Sequence, residues 1–257
     1  MKMTNYHTHT PRCGHAEGTG QDYVESALAA GFELLGFADH APYRDHPADY
    51  HGIRMSPELL PDYAAEVRDL RQRYGDRIEL HLGVEAEYYP HYFEGLLSDL
   101  RAAGVEYLIL GQHFIGDGLG DPYMARPFTD KALLDRYVGQ SIEAMQTGLF
   151  TYFAHPDLAY FVGDDREYDR QMRRLCRTAR DLGLPLELNL LGLREGRNYP
   201  NPSFWRLAGE EGCRAVLGWD AHFPAALNVP DIVRRALELL EQSDVPRLES
   251  VDLKRLN

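Results

Sequence analysis

Cysteine is scarce in this 257-residue chain: there are three, Cys13, Cys176 and Cys213, an odd number spaced far apart. That excludes the disulfide framework of small secreted domains and argues for a reducing compartment. Long apolar runs are also missing. The opening MKMTNYHTHT lacks the apolar core of a signal peptide, and no later stretch approaches the roughly 18 apolar residues of a membrane span. A cytoplasmic protein without a membrane partner is expected. Basic runs are absent, and 27 Lys and Arg against 40 Asp and Glu leave a formal charge of −13. Such a surface repels phosphate backbones, so a nucleic-acid partner is not expected and small-molecule substrates are favoured. No low-complexity stretch, linker or heptad run is present, and oligomeric state is left open.

What is present is a regular alternation. Hydrophobic residues make up 44% of the chain, enough for a sizeable core in one domain over 1–257. Hydrophobic period and Gly/Pro punctuation predict strands at 3–8, 34–39, 78–85, 107–113, 151–155, 185–190 and 215–220. Helices are predicted near 20–30, 57–74, 91–103, 130–147, 167–182, 202–212 and 225–242. Strand and helix in unbroken alternation mean parallel pairing with the helices outside. A closed α/β barrel is the first expectation and an open doubly wound sheet the alternative, although no GxGxxG follows the first strand. The segments 40–56 and 114–129, rich in Pro, Gly, Asp and Tyr, read as long functional loops.

In α/β barrels the chemistry gathers at the C-terminal strand ends. His7 and His9 end the first predicted strand, Asp39 and His40 the second, Glu85 the third, His113 the fourth, His155 the fifth, and Asp220 with His222 the seventh. His15 returns from the first loop. Scattered core histidines would not converge on one mouth in this way. His46, His51, His81 and His91 lack such positions and read as surface or loop histidines. Imidazole and carboxylate suit zinc, iron and manganese, and the lack of clustered thiols excludes a Cys-based zinc cage or an iron–sulfur cluster. So many ligands require two or three ions sharing carboxylates, an arrangement that clamps phosphate and activates water for in-line displacement. Hydrolysis of a phosphoester is the reaction class expected.

These residues resemble the polymerase and histidinol phosphatase (PHP) superfamily of metal-dependent phosphoesterases. HTH at 7–9, CGH at 13–15, DH at 39–40, GVE at 83–85, GQH at 111–113, AHPD at 154–157 and DAH at 220–222 occur in the family's order. HTHTPRCGHA and NLLGLREGRNYPNP are most similar to the stand-alone histidinol-phosphatase group. The resemblance implies a distorted (β/α)7 barrel with a trinuclear centre of Zn, Mn or Fe. One ion would be held by His7, His9, Glu85 and Asp220, a second by Glu85, His113 and His155, and a third by His15, His40 and His222. It further implies hydrolysis of L-histidinol phosphate to L-histidinol and phosphate, in histidine biosynthesis, through a metal-bridging hydroxide. Another phosphoesterase of the superfamily, acting on phosphotyrosine, nucleotides or sugar phosphates, is the alternative. A non-catalytic metal-binding regulator is disfavoured because all nine ligand positions are filled. Gln112 and Ala38 depart from the Ser or Thr that many members carry there.

For the remaining roles, Asp39 is the acid nearest to the site in sequence and a candidate donor to the leaving oxygen; otherwise it orients a ligand histidine. Arg194 and Arg197 suit phosphate, with Arg194 matching the group's GLR pattern and counted among the catalytic residues. Arg54 and Arg126 are weaker candidates on the long loops. Glu87 and Tyr88 are candidates for the substrate's ammonium and imidazole. Cys13 reads as a small buried loop residue near the third ion, while Cys176 and Cys213 read as helix packing.

Overall fold

The computed structural model describes residues 3–44, 52–117 and 122–256. His46 and His51 lie outside the described residues.

Seven strands form one sheet, parallel throughout and ordered as they occur in the chain: β1 (Thr4–Asn5), β2 (Leu34–His40), β3 (Glu79–Ala86), β4 (Tyr107–Leu110), β5 (Phe150–Phe153), β6 (Leu186–Asn189) and β7 (Ala215–Gly218). The helices between and after them are α1 (Gly20–Ala29), α2 (Leu60–Tyr74), α3 (Phe93–Ala103), α4 (Lys131–Gln146), α5 (Asp165–Asp181), α6 (Leu190–Glu195), α7 (Pro202–Glu210) and α8 (Pro230–Gln242). The two ends of the sheet meet. Thr8 bridges Ala221 in parallel, the His9 N–H donates to Ala221 O at 2.9 Å, and the Trp219 N–H donates to Asn5 Oδ1 at 3.1 Å. The result is a nearly closed barrel with its helices outside, as in TIM-like folds, rather than an open sheet.

Local chemistry explains where expectation and structure differ. β1 was expected to run to residue 8 but stops at Asn5, whose side chain accepts from His7 N at 3.1 Å and donates to His7 O at 3.0 Å. This side-chain bonding competes with the ladder and turns the backbone. The sixth strand was expected to reach 190; instead it ends at Asn189, which caps α6, its Oδ1 accepting from Gly192 N at 2.9 Å. Gly196, at φ +67°, ends that short helix in the left-handed conformation. The helix expected at 225–242 is split into a 3₁₀ turn, Pro224–Leu227, and α8, which starts at Pro230 because proline suits a first helical position. Elsewhere helix starts follow ordinary capping: Thr19 and Asp22 form a capping box on α1, and Asp130 caps α4.

The larger core lies between sheet and helices, while a smaller one fills the barrel with Tyr6, Leu34, Ala38, Tyr107, Ile109, Tyr152, Ala154 and Val216. Gly83 makes that filling possible, since a Cβ there would stand 2.2 Å from the Tyr107 ring. Leu248, Val251 and Leu253 of the C-terminal segment pack beneath this inner core. One mouth is therefore stopped, and the other, at the C-terminal strand ends, is left for the site. Among the described residues no helix is long and apolar enough to cross a membrane.

Candidate metal centre

Glu85 sits at the middle of the open mouth. The β2–β3 register sets His40 directly beside it, and both its oxygens face imidazoles. Oε1 lies 2.8 Å from His155 Nε2 and 3.7 Å from His113 Nε2; Oε2 lies 2.9 Å from His40 Nδ1, 3.4 Å from His7 Nε2 and 3.5 Å from His9 Nε2. Gly111 leaves room for this carboxylate, because a Cβ there would be 1.9 Å from Oε1. Asp220 Oδ1 forms a second focus, 3.2 Å from His9 Nε2, 3.5 Å from His7 Nε2 and 3.3 Å from His222 Nδ1. His155 and Asp220 adopt φ of +33° and +47°, and they are two of only three non-glycine residues with positive φ among the described residues. Backbone strain of this kind persists where the surroundings over-determine a functional conformation.

The donor set fits metal ions. Glu85 Oε2, Asp220 Oδ1, His9 Nδ1, His40 Nδ1 and His155 Nδ1 are buried with no partner in hydrogen-bonding geometry. His7 Nε2 faces His9 Nε2 at 3.1 Å, and His15 Nε2 faces His222 Nε2 at 2.9 Å. In the second pair each Nδ1 lies 3.0 Å from a backbone carbonyl, Cys13 O or Asp220 O, and donates to it. Two ring lone pairs then point at one another, an arrangement that a bound metal ion or a shared proton relieves. Triplets of donor atoms close enough to hold an ion include His7/His9/Asp220, His7/Glu85/His155 and His9/His40/His222.

Electrostatics sorts the imidazoles into two groups. Burial lowers the pKa values of His15, His40 and His222, taking His40 to about 4 and His222 to about 2, so these rings are neutral and ready to donate a lone pair. For His9 burial acts in the same direction, but Asp220 and Asp39 outweigh it and raise the pKa to about 9. His7 is likewise raised, by Glu187, Asp220 and Glu85 against the effect of burial. Glu85 and Asp220 lie well below the usual carboxylate range, the surrounding histidines overcoming burial.

Behind the candidate ligands stand groups that contact their outer atoms. Glu187 Oε2 accepts from His7 Nδ1 at 2.8 Å, and Asn189 Nδ2 ties Glu187 at 2.7 Å to Asp220 at 3.0 Å. Sequence reading missed both; the available signal was the polar alternation in PLELNL, a strand otherwise apolar. Asp39 is fully buried, accepts from Thr10 through its backbone N–H at 3.2 Å and through its hydroxyl, and lies 3.5 Å from His9 Nδ1. It does not line the cavity described below, so this placement differs from that of a donor to a leaving oxygen. Glu87, the candidate for the substrate's ammonium, is also turned away: it pairs with Arg54 at 2.5 Å and accepts from His113 Nδ1 at 3.1 Å. Burial would raise its pKa, but Arg54 and His113 bring it down to about 2. Arg54 is thereby committed inside the protein. Tyr88 packs edge-on against Phe93 rather than on the cavity. Gln112 joins the loops after β3 and β4, accepting from Tyr88 N and donating to Phe114 O.

Over the centre opens a cavity of about 800 Å³ lined by His15, His40, Glu85, His113, Asp220 and His222 at its floor. Arg126, Arg194 and Arg197 line its walls together with Tyr123, Tyr199 and Phe223. Glu195 holds both α6-end arginines, at 3.1 Å from Arg194 and 2.7 Å from Arg197. The Arg197 Nη1 also donates to Tyr199 OH at 2.7 Å, and the Arg194 guanidinium lies 4.6 Å from the centroid of the Phe223 ring.

His81 lies far from this mouth and, contrary to the surface reading, is buried between Glu79 and Glu106, each at 2.8 Å. His91 is exposed ahead of α3. Cys176 and Cys213 are buried, the Cys213 thiol donating to Cys176 O at 3.3 Å. Cys13 is fully buried, and its sulfur comes within 4.8 Å of donor atoms of His15 and His222. Burial and the Asp39 charge push its thiol up to about 12, so it stays protonated. Native protein at pH 8 should therefore leave Cys13 unmodified by iodoacetamide, whereas protein in guanidinium chloride is alkylated there. Rapid native modification, read by peptide mass, would contradict this placement.

The PHP domain family model matches residues 5–190. A Deinococcus radiodurans protein named "Probable histidinol-phosphatase" is 34% identical over 230 residues, covering 86% of this chain and 87% of that protein. The Bacillus subtilis "Histidinol-phosphatase" is 25% identical over 253 residues, 86% of this chain and 94% of its own length. Among solved structures, the histidinol phosphate phosphatase of Lactococcus lactis, in complex with zinc, L-histidinol and phosphate, aligns over 98% of this chain and 99% of that one. Its TM-score is 0.75 at 20% identity, a likeness of fold. With the matched segment running from the first strand through the sixth, this chain belongs to the PHP domain family.

Proposed function

We propose that the chain is a metal-dependent histidinol-phosphatase that hydrolyses L-histidinol phosphate to L-histidinol and phosphate in histidine biosynthesis, acting in the cytoplasm as one domain over 1–257. The observation that carries this reading is the convergence of seven imidazoles around Glu85 and Asp220 beneath an arginine-walled cavity, in a chain whose relatives bear that name. Two or three ions of zinc, manganese or iron would be held by His7, His9, Glu85 and Asp220; by Glu85, His113 and His155; and by His15, His40 and His222. Such ions supply Lewis acidity, neutralising phosphate oxygens and acidifying water.

The chain's own residues supply the rest. Arg194 and Arg197 grip the phosphate, and Glu195 holds the two guanidiniums in place between substrates. Arg126, without an ion-pair partner among the described residues, adds positive charge at the rim. Glu187 and Glu87 act as positioning residues, fixing the rings of His7 and His113 respectively, while Asp39 lies 3.5 Å from His9 Nδ1 and sets the charge beside that ring. Asn189 couples α6, which carries Arg194, to Asp220, so phosphate grip and ligand geometry move together.

Phosphate release by zinc- or manganese-loaded protein tests the reading, with L-histidinol phosphate, phosphotyrosine, nucleotides and sugar phosphates at equal concentration. The expected result is a kcat/KM for histidinol phosphate higher by several orders of magnitude. A flat profile or another favourite would overturn the substrate while keeping the phosphatase site.

A further inference from the structure

The cavity is divided by charge. Four carboxylates line it, those of Glu17, Glu85, Glu195 and Asp220. Glu85 and Asp220 face imidazoles from both oxygens or from the cavity side, at the distances given above, and Glu195 is spanned by Arg194 and Arg197. Glu17 alone among them has no ion-pair partner among the described residues. Its backbone N–H donates to His222 O at 2.8 Å, which fixes it beside the floor on the side of His15 and His222. A substrate whose phosphate is drawn to the metal floor and the arginines thus meets one uncommitted negative charge. Glu87, the carboxylate that sequence proximity suggested for this duty, is buried against Arg54 and cannot reach the cavity.

We propose that Glu17 is the residue that selects phosphomonoesters carrying a primary ammonium group, by pairing with that ammonium while the phosphate lies over the centre. The assignment rests on the reading of the site as a phosphomonoesterase and refines its substrate class. A cavity with cationic walls and floor favours phosphomonoesters in general; an unpaired carboxylate at its edge adds discrimination only for those that also bear a positive charge. A hydrogen bond to a charged group of this kind corresponds to about a 10- to 100-fold difference in binding.

The test compares wild type with Glu17→Gln, both metal-loaded, on L-histidinol phosphate and on its deamino analogue, 3-(imidazol-4-yl)propyl phosphate. Glutamine keeps the size of the exposed side chain and removes its charge. The expected result is that the wild-type preference for the ammonium-bearing substrate falls about 10- to 100-fold in the variant, through KM rather than kcat, with metal content equal in the two proteins. Glu17→Asp should restore part of the preference. Equal losses on both substrates, or no change in the ratio, would overturn the assignment. If wild type hydrolyses p-nitrophenyl phosphate but not histidinol phosphate, the pathway reading fails separately. The ratio is then read on phosphoethanolamine against ethyl phosphate, where a wild-type preference lost in Glu17→Gln supports the selection and its absence refutes it.

Discussion

Glu85→Gln should leave a folded barrel that retains less than half of the wild-type metal and hydrolyses L-histidinol phosphate on the order of 10³-fold more slowly. One oxygen of this carboxylate faces His113 and His155 and the other faces His7, His9 and His40, so a single substitution removes a negative donor from two positions at once. The amide is nearly isosteric and fits the space that Gly111 leaves, so the fold does not depend on it. What is lost is charge: without it the ions bind weakly, and with them goes several kilocalories of stabilisation of the phosphate's developing charge, which is about three decades in rate. Elemental analysis of the dialysed variant, circular dichroism and steady-state kinetics check the three parts together. A variant with full metal content and near-wild-type turnover would remove Glu85 from the mechanism.

Metal affinity should rise with pH between pH 6 and 8, by about 10-fold per pH unit for each proton that loading expels. The metal-free centre favours protons on His7, His9 and His155, whose pKa values are raised because Asp220, Glu187, Glu85 and Asp39 overcome the effect of burial. These rings must be neutral to act as ligands, so loading expels protons, and the affinity follows an inverse power of the proton concentration, set by the number expelled, until pH approaches 9. The sign for stability is opposite in the two forms. His9 has a higher pKa folded, about 9, than unfolded, so its ion pairs contribute fully below about pH 6.5 and are lost as pH rises through 9. Metal-free protein should therefore melt at lower temperature at pH 9.5 than at pH 6.5, while protein at fixed free zinc should melt higher. Calorimetry of zinc binding in two buffers of different ionisation enthalpy counts the protons directly. Release of none would show that the metal-free rings are already neutral.

The parts legible in the sequence are those encoded locally. The candidate ligands arrive as HTH, DH and DAH because two residues on the same strand face, or a strand end and its following loop, are neighbours in the chain. The strand count and order were readable for a similar reason: each apolar segment pairs with the one before it, and the helix between them has its own period. Asp39 and Glu87 show where this kind of reading stops. Asp39 is adjacent to His40 in sequence, but alternation along β2 sends the two side chains to opposite faces, and Asp39 meets Thr10 and His9 instead of the cavity. Glu87 follows Glu85 at the right period, yet Arg54, from a distant loop, claims it.

By itself, then, the sequence determined the class of fold, the type of donor and the strand ends that carry them, because periodicity and short motifs are properties of neighbouring residues. Only tertiary structure decided that Glu187 holds His7 across 180 residues, that Asn189 joins α6 to Asp220, and that Glu17 lines the cavity with no ion-pair partner among the described residues. Those outcomes depend on barrel closure through Asn5, Thr8 and Ala221 and on which charges have already found partners. Pairing across a closed sheet is set by register and by competition among distant groups, neither of which any local stretch of the chain contains.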